Sequence, residues 1–270
     1  MTEAERKERN ALATAHALSC DELAIEIAGP VATITMHRPQ VMNAFDRAQR
    51  HRLDEALRAL DASDDVRVLV ITGRGRAFCA GQDQHESAAM DAPASARRID
   101  DYMALYRTLR ALRKPVIARV NGVAAGAGLQ IALMCDLRIG STAARIGMTE
   151  LKVGSVAVTG SFLLHAHVGE AVMRRLVLLA EVLDARQSLE LGLLHEVHAE
   201  SALDERIAAL CEQLAALPPG PLGLTKQWWS AMSEQGFEAA AAAAKAAHAS
   251  NFASGTYSAG AQRFTRRSEG

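Results

Sequence analysis

The chain has 270 residues, 49% hydrophobic and 23% charged, which is enough apolar mass for a sizeable core and excludes a mostly disordered polymer. Lys plus Arg (30) nearly cancels Asp plus Glu (31), so no global field attracts nucleic acid, and an anionic partner must be met by a local basic cluster. Cys20, Cys79, Cys135 and Cys211 stand far apart in no metal-ligand spacing; they read as small reduced core residues, and no metal site is expected.

In chain order, the first twenty or so residues are polar and charged from the third position, with no apolar core of a secretory signal. No run of about 18 apolar residues occurs anywhere, so no membrane partner is expected. A cytoplasmic protein is the resulting expectation. "LAIEIAGPVATITMHRP" alternates in two short strands broken at Gly29-Pro30, a hairpin pattern. From Asp46, leucines at 53, 57 and 60 among charges predict an amphipathic helix with Asp46 as N-cap. "VRVLVITG" (66–73) is apolar throughout, as in a parallel strand buried on both faces.

The next stretch, "RGRAFCAGQDQHESAAMDAPASAR", is polar and turn-rich and reads as a long functional loop. A helix is predicted near 97–112, followed by short strands in "KPVIARVNG" and "LRIGST". That alternation argues for an α/β fold with crossover connections. Beyond about residue 161 the pattern is helical: 161–179, 185–191, 201–216, 221–233, 236–249, and again after Gly255. The alanine tract "AAAAAAKAAHA" reads as helix, because alanine is the best helix former.

Two apolar strands are each followed by a glycine-bearing turn, "FCAGQD" (78–83) and "NGVAAGAG" (121–128). Ligands of open α/β sheets gather at the carboxyl ends of strands, and helix N-termini point unpaired N–H donors there. Two such donors converging on one oxygen would form an oxyanion hole, each worth about 3–4 kcal/mol where one has been removed. Composition alone leaves a second reading open, in which the small residues only permit close helix–strand packing. The Rossmann, P-loop and nucleophile-elbow glycine patterns are absent.

"HRPQVMNAF", "VLVITGRGRAFCAGQD", "KPVIARVNGVAAGAG" and "ALMCDLRIGS", in this order and spacing, resemble the enoyl-CoA hydratase/isomerase (crotonase) family over residues 22–267. The resemblance implies an α/β fold with a crotonase-like ββα spiral core (21–200) after an N-terminal extension (1–20), and a C-terminal helical region (201–270) that assembles trimers, often paired into hexamers. It implies an acyl-CoA thioester as substrate, coenzyme A entering only as part of it, with no separate cofactor. The two oxyanion-hole N–H donors fall on Gln82 and Ala127. Val41, Met42, Ala44, Ala80, Gln82, Asp83 and Gly126 match segments that wrap coenzyme A. Lys226, with Arg263 or Arg267, is the expected phosphate contact.

Hydratases of the family place two glutamates around the reacting carbons. Their positions here hold Gln130 and Glu150. Glutamine neither takes nor gives a proton at neutral pH, so Glu150 is the expected proton carrier and Gln130 a hydrogen-bonding residue. A lone acid suits the shift of a double bond, where one base removes a proton and returns it elsewhere. Two alternatives stand beside isomerisation: a hydratase in which Gln130 orients water, and a non-catalytic acyl-CoA-binding homologue. The loop "VGSVAVTGSF" departs from the proline- and glycine-rich pattern of the hydratases. It offers no aspartate between 151 and 183, as the family's ring-modifying isomerases would require. Asp83 is expected to brace its own loop.

Overall fold

The computed structural model describes residue 13 and residues 17–268, the side chains of 267 and 268 aside; the expected N-terminal extension lies mostly outside these. The hairpin forms as β1 (Leu23–Ala28) and β2 (Val31–Met36), antiparallel, turning at Gly29-Pro30. The helix α1 (Arg47–Ala62) follows, with the Asp46 carboxylate accepting the Gln49 amide at 2.8 Å and Leu53, Leu57 and Leu60 buried.

Three successive turns of chain then repeat one plan. In the first, β3 (Val68–Gly73) leads to the short β4 (Ala77–Cys79) and to helices α2 (Gln84–Ala88) and α3 (Ala92–Ala111). In the second, β5 (Val116–Val120) leads to β6 (Val123–Ala125) and α4 (Ala127–Met134). The third runs from β7 (Leu137–Ser141) and β8 (Arg145–Gly147) through a 3₁₀ turn (Glu150–Val153) to α5 (Val158–Leu179). β9 (Val182–Asp184), α6 (Ala185–Glu190), β10 (Glu196–His198) and helices α7 (Glu200–Ala215), α8 (Pro219–Ala253) and α9 (Thr256–Ser268) complete the chain.

The longer strands form a six-stranded sheet in the order β1-β2-β3-β5-β7-β10, parallel except for the hairpin. The short ones form a second sheet, β4-β6-β8-β9, with only β9 antiparallel. Each turn therefore adds one strand to each sheet and then a helix, the ββα spiral expected from the resemblance. β3 explains its own apolar sequence: Leu69 and Ile71 join the core that holds the leucines of α1, while Val68 and Val70 face Leu203, Ile207 and Leu210 of α7.

Several expectations shift. The long polar segment 74–97 is ordered: it contains β4, α2 and the first turn of α3, whose Asp91 cap accepts the Ala94 amide at 2.7 Å. The two helices predicted at 221–233 and 236–249 are one, α8, because Gly236 packs against the Phe162 ring without interrupting it. The helix predicted at 161–179 breaks instead at Gly169, whose backbone is non-helical. Cys79, Cys135 and Cys211 are buried free thiols, and Cys20 is half-buried. Among the described residues no helix is long and apolar enough to cross a membrane, and no group of three or more His, Cys, Asp or Glu side chains is placed to hold a metal.

The spiral closes tightly where α4 meets β4. A Cβ on Gly128 would collide with the Cys79 carbonyl oxygen, a main-chain atom that cannot swing aside. Gly128→Ala should therefore lower stability by about 1–3 kcal/mol, the usual range for over-packing, read as a drop in the urea midpoint at unchanged slope.

Candidate functional site

The two glycine turns singled out in the sequence lie against each other. Gly81 has φ +97° and Gly126 φ +51° with ψ −124°, conformations that side chains rarely allow. A Cβ on Gly81 would sit 2.8 Å from the Ala125 carbonyl oxygen and 3.2 Å from Ala127 N, so the peptide entering Gln82 touches the peptide entering Ala127. Residues 42–45 hold the first turn in place: Ala80 N donates to Met42 O (3.0 Å), Phe45 N to Gly81 O (2.7 Å) and Asp83 N to Phe45 O (2.9 Å). Asn43, fully buried, ties that segment to Arg74 O and Ala77 O.

Neither the Gln82 nor the Ala127 main-chain N–H has a protein acceptor among the described residues. Ala127 opens α4, where the first N–H groups lack intrahelical partners and the helix dipole is positive. The Gln82 side chain is turned into a polar network and committed there. Its Oε1 accepts from Arg50 and Tyr102, both at 3.0 Å, and its Nε2 donates to Glu86 at 2.6 Å.

Both residues line a cavity of about 460 Å³. Gln130 and Glu150 line it too, as do Val41, Met42, Ala44, Ala80, Asp83 and Gly126. Asp83 braces its loop, accepting the His85 amide at 2.9 Å and pairing with Arg38 at 3.0 Å. Lys226 is not brought there. Its ammonium is buried against Asp136 and the Lys114 carbonyl, locking the start of α8 to the strand ends, and this chain's cavity does not include it. Arg263 is exposed and outside the lining, and the Arg267 side chain lies outside the described residues. His165 is exposed, and His167 bonds the Leu163 carbonyl of its own helix.

Around Glu150 a short polar chain forms that the sequence did not suggest in full. Tyr106, on α3, donates its hydroxyl to Gln130 Oε1 at 3.1 Å, and Gln130 Nε2 donates to Glu150 Oε1 at 2.8 Å. Tyr106 fixes which way round the amide lies, so the N–H end faces the carboxyl. The remaining oxygen, Glu150 Oε2, is out of solvent and has no partner. Burial pushes the Glu150 carboxyl up from 4.5 to about 7, opposed in part by hydrogen bonds from its own backbone and from Gln130. The carboxyl lies against Gly126: a Cβ there would be 3.5 Å from Glu150 Oε1, ordinary contact. Cys79, near the same turns, is fully buried, and burial pushes its thiol up to about 12, which disfavours the thiolate.

Tyr106 was legible only through its spacing on α3. Arg98, Tyr102 and Tyr106 recur every four residues and all three line the cavity. Segment 153–159 supplies a mostly apolar wall, and Tyr257 and Phe264 of α9 close another side.

The family model for enoyl-CoA hydratase/isomerase matches residues 26–269. The (E)-benzylidenesuccinyl-CoA hydratase of Thauera aromatica is 36% identical over 205 residues, 75% of this chain and 80% of that protein. The 1,2-epoxyphenylacetyl-CoA isomerase of Escherichia coli K12 is 38% identical over 204 residues, covering 73% and 77%. The crystal structure of an enoyl-CoA hydratase from Mycobacterium avium subsp. paratuberculosis K-10 superposes with a TM-score of 0.81 at 25% identity, covering 91% of this chain and 96% of that one.

A raised carboxyl has a consequence for stability. The unfolded chain releases the Glu150 proton near 4.5 and the folded chain near 7, so between those values the unfolded state binds fewer protons and stability falls as pH rises. Above about pH 7 the penalty is constant, on the order of 3 kcal/mol at most. Glu150→Gln removes it while keeping the shape. The variant should melt higher than wild type at pH 8 and with little difference at pH 4.5, measured by thermal unfolding at both.

Proposed function

The chain belongs to the enoyl-CoA hydratase/isomerase family, and from that premise we propose that it moves a double bond along the acyl group of an enoyl-CoA. The thioester oxygen accepts the main-chain N–H groups of Gln82 and Ala127, which stabilise the negative charge that develops when a neighbouring carbon loses a proton. Glu150 takes that proton from C2 of a 3-enoyl thioester. The electron pair spreads into a dienolate, and the same proton is returned at C4, leaving the double bond between C2 and C3. Glu150 ends as it began. Coenzyme A enters as part of the substrate, its thioester arm lying along Val41, Met42, Ala44, Ala80, Asp83 and Gly126.

One observation carries this reading: the Glu150 carboxyl, in the lining of the cavity that Gln82 and Ala127 also line, has one oxygen held by Gln130 and the other buried without a partner, whereas the cavity's other buried carboxyl, Asp83, is paired with Arg38. A pKa near 7 suits a group that must both accept and deliver a proton at neutral pH. Hydration with Gln130 orienting the water is less well supported. Its carbonyl oxygen already accepts from Tyr106, and its amide group faces Glu150 and, weakly, the Met148 sulfur. Gln130 acts instead as a positioning residue for Glu150. A non-catalytic acyl-CoA binder would have no use for a carboxyl kept buried at this cost.

The test is a panel of 3-enoyl- and 2-enoyl-CoA esters assayed with wild type and Glu150→Gln. Isomerisation should exceed hydration in the wild type, and the variant should lose about 10²–10⁴-fold in kcat. The base must be ionised in the free enzyme, so kcat/KM should fall on the acid side with an apparent pKa near 7, not near 4.5, a limb absent from the variant's residual activity. Unchanged turnover in the variant would remove Glu150 from the mechanism. Faster hydration than isomerisation in the wild type would overturn the preference.

A further inference from the structure

We propose that the cavity is built for an acyl group carrying a second, distal carboxylate, with Arg98 as its counter-ion. The proposal rests on the acyl-CoA reading of the cavity and adds the substrate class. Arg98 is only 4% exposed, yet it lines the cavity. Among the described residues no carboxylate lies within 4 Å of its guanidinium. Its partners are neutral: the Tyr257 hydroxyl and, at 3.3 Å, His248 Nδ1. Arginine only donates, so His248 Nδ1 accepts and the imidazole is uncharged, consistent with burial and the Arg98 charge pulling its pKa down to about 3. Two of five N–H groups are used, and Nε has no partner. The cation also stacks on the Tyr257 ring, 4.5 Å from its centroid, which supplies a weak attraction but no anion.

The other two buried arginines show what a purely structural one looks like here. Arg50, stacked over Tyr102 at 4.8 Å, has its acid, Glu86, at 3.1 Å. Arg138 has none, but its Nε and Nη1 donate to the Leu193 and Cys135 carbonyls, its Nη2 meets His195, and it lies outside the cavity. Arg98 alone among these three combines a missing carboxylate, a buried Nε without a partner and a place in the lining of this cavity. A buried charge with no opposite charge beside it is disfavoured unless a ligand supplies one. A carboxylate suits a guanidinium fork best, because two parallel N–H bonds can reach its two oxygens.

Position along α3 separates this subsite from the reacting carbons. Tyr106 reaches the Gln130–Glu150 pair, and Arg98 lies eight residues earlier on the same face, about 12 Å along the axis. Ile99, Tyr102 and Met103 line the cavity between them, a mostly apolar path for methylene or ring carbons. A coenzyme A phosphate has a better-hydrated place at Arg76, an exposed cavity residue on the segment that packs against Pro39.

The experiment measures binding, so it does not depend on turnover. The wild-type protein is titrated with matched saturated thioesters, monoacid against diacid, from hexanoyl- and hexanedioyl-CoA up to about ten carbons, and with free coenzyme A. At one or more lengths the diacid ester should bind at least about tenfold more tightly than its monoacid match, and that ratio should collapse to about one in Arg98→Met. Equal or weaker binding of the diacid at every length overturns the proposal, and this comparison needs no variant to fold. Persistence of the ratio in Arg98→Met, or in Arg98→Gln should the methionine variant not fold, overturns it too. So does a loss of free coenzyme A affinity in the variant as large as that for the diacid, which would assign the cation to a phosphate. Turnover of monoacid enoyl-CoA esters without a diacid preference would sink this inference and leave the proposed reaction intact. A diacid preference in binding without any turnover would do the reverse.

Discussion

The structure depends on a close approach of main chain to main chain. The turn after β4 and the turn before α4 touch through Gly81 and Gly128, positions where an added methyl group would meet backbone, and Gly126 lies between them against the Glu150 carboxyl. Sequence composition left two explanations for this small-residue run, tight packing or exposed donors, and in the folded chain they are the same fact. Packing without side chains is what leaves the two N–H groups adjacent and unpaired. The rest of the cavity is arranged around that contact, with residues 42–45 pinning the first turn and the Glu150 carboxyl set against Gly126.

A buried carboxyl beside apolar groups is a liability that few residues share. Glu150 keeps one hydrogen bond, from Gln130, and its other oxygen is left without one. The amide in turn is held by Tyr106. Hydrogen bonding to Oε1 favours the ionised form and burial disfavours it, and burial is the larger effect. The balance leaves the group titrating near neutrality, where a proton carrier of moderate strength is most useful. A second carboxylate at position 130 would disturb that balance, since two acids in hydrogen-bonding distance cannot both ionise easily. Glutamine there keeps the contact and removes the repulsion.

Much of the fold was legible because the signals were long. The leucines of α1, the uniformly apolar β3 and the alanine-rich α8 each span enough residues for periodicity or propensity to speak. The second sheet was not legible, because its strands β4, β6, β8 and β9 are three residues each and no alternation fits in three. The repeat of strand, short strand and helix left no repeat in the sequence for the same reason. Family resemblance supplied it. Of the site, Gln82, Ala127, Gln130 and Glu150 were placed by register and do line one cavity. Lys226 shows the limit of reading charge from sequence: a lysine near a helix start is equally suited to a buried ion pair, and Asp136 was close enough to take it.

The residues that sequence reading passed over lie on one face of one helix, and their roles follow from their order along it. Tyr106 orients Gln130 and, through it, Glu150. One turn earlier, Tyr102 bonds the Gln82 side chain, fixing it in the network with Arg50 and Glu86. One turn earlier again, Arg98 reaches Tyr257, whose hydroxyl donates to Ser87 at 2.6 Å, tying α9 to α2. A helix with an ordinary charged and aromatic composition therefore sets the acid, the donor and the far wall at fixed spacing. Because α3 is continuous over these two turns and packs along α8, the spacing from the Tyr106–Gln130 contact to Arg98 is set by helix rise and not by loop length. The apolar loop at 153–159 lines the same space, and its sequence departs from the family's usual pattern. It lines one wall of the cavity, while α3 spaces the residues along another.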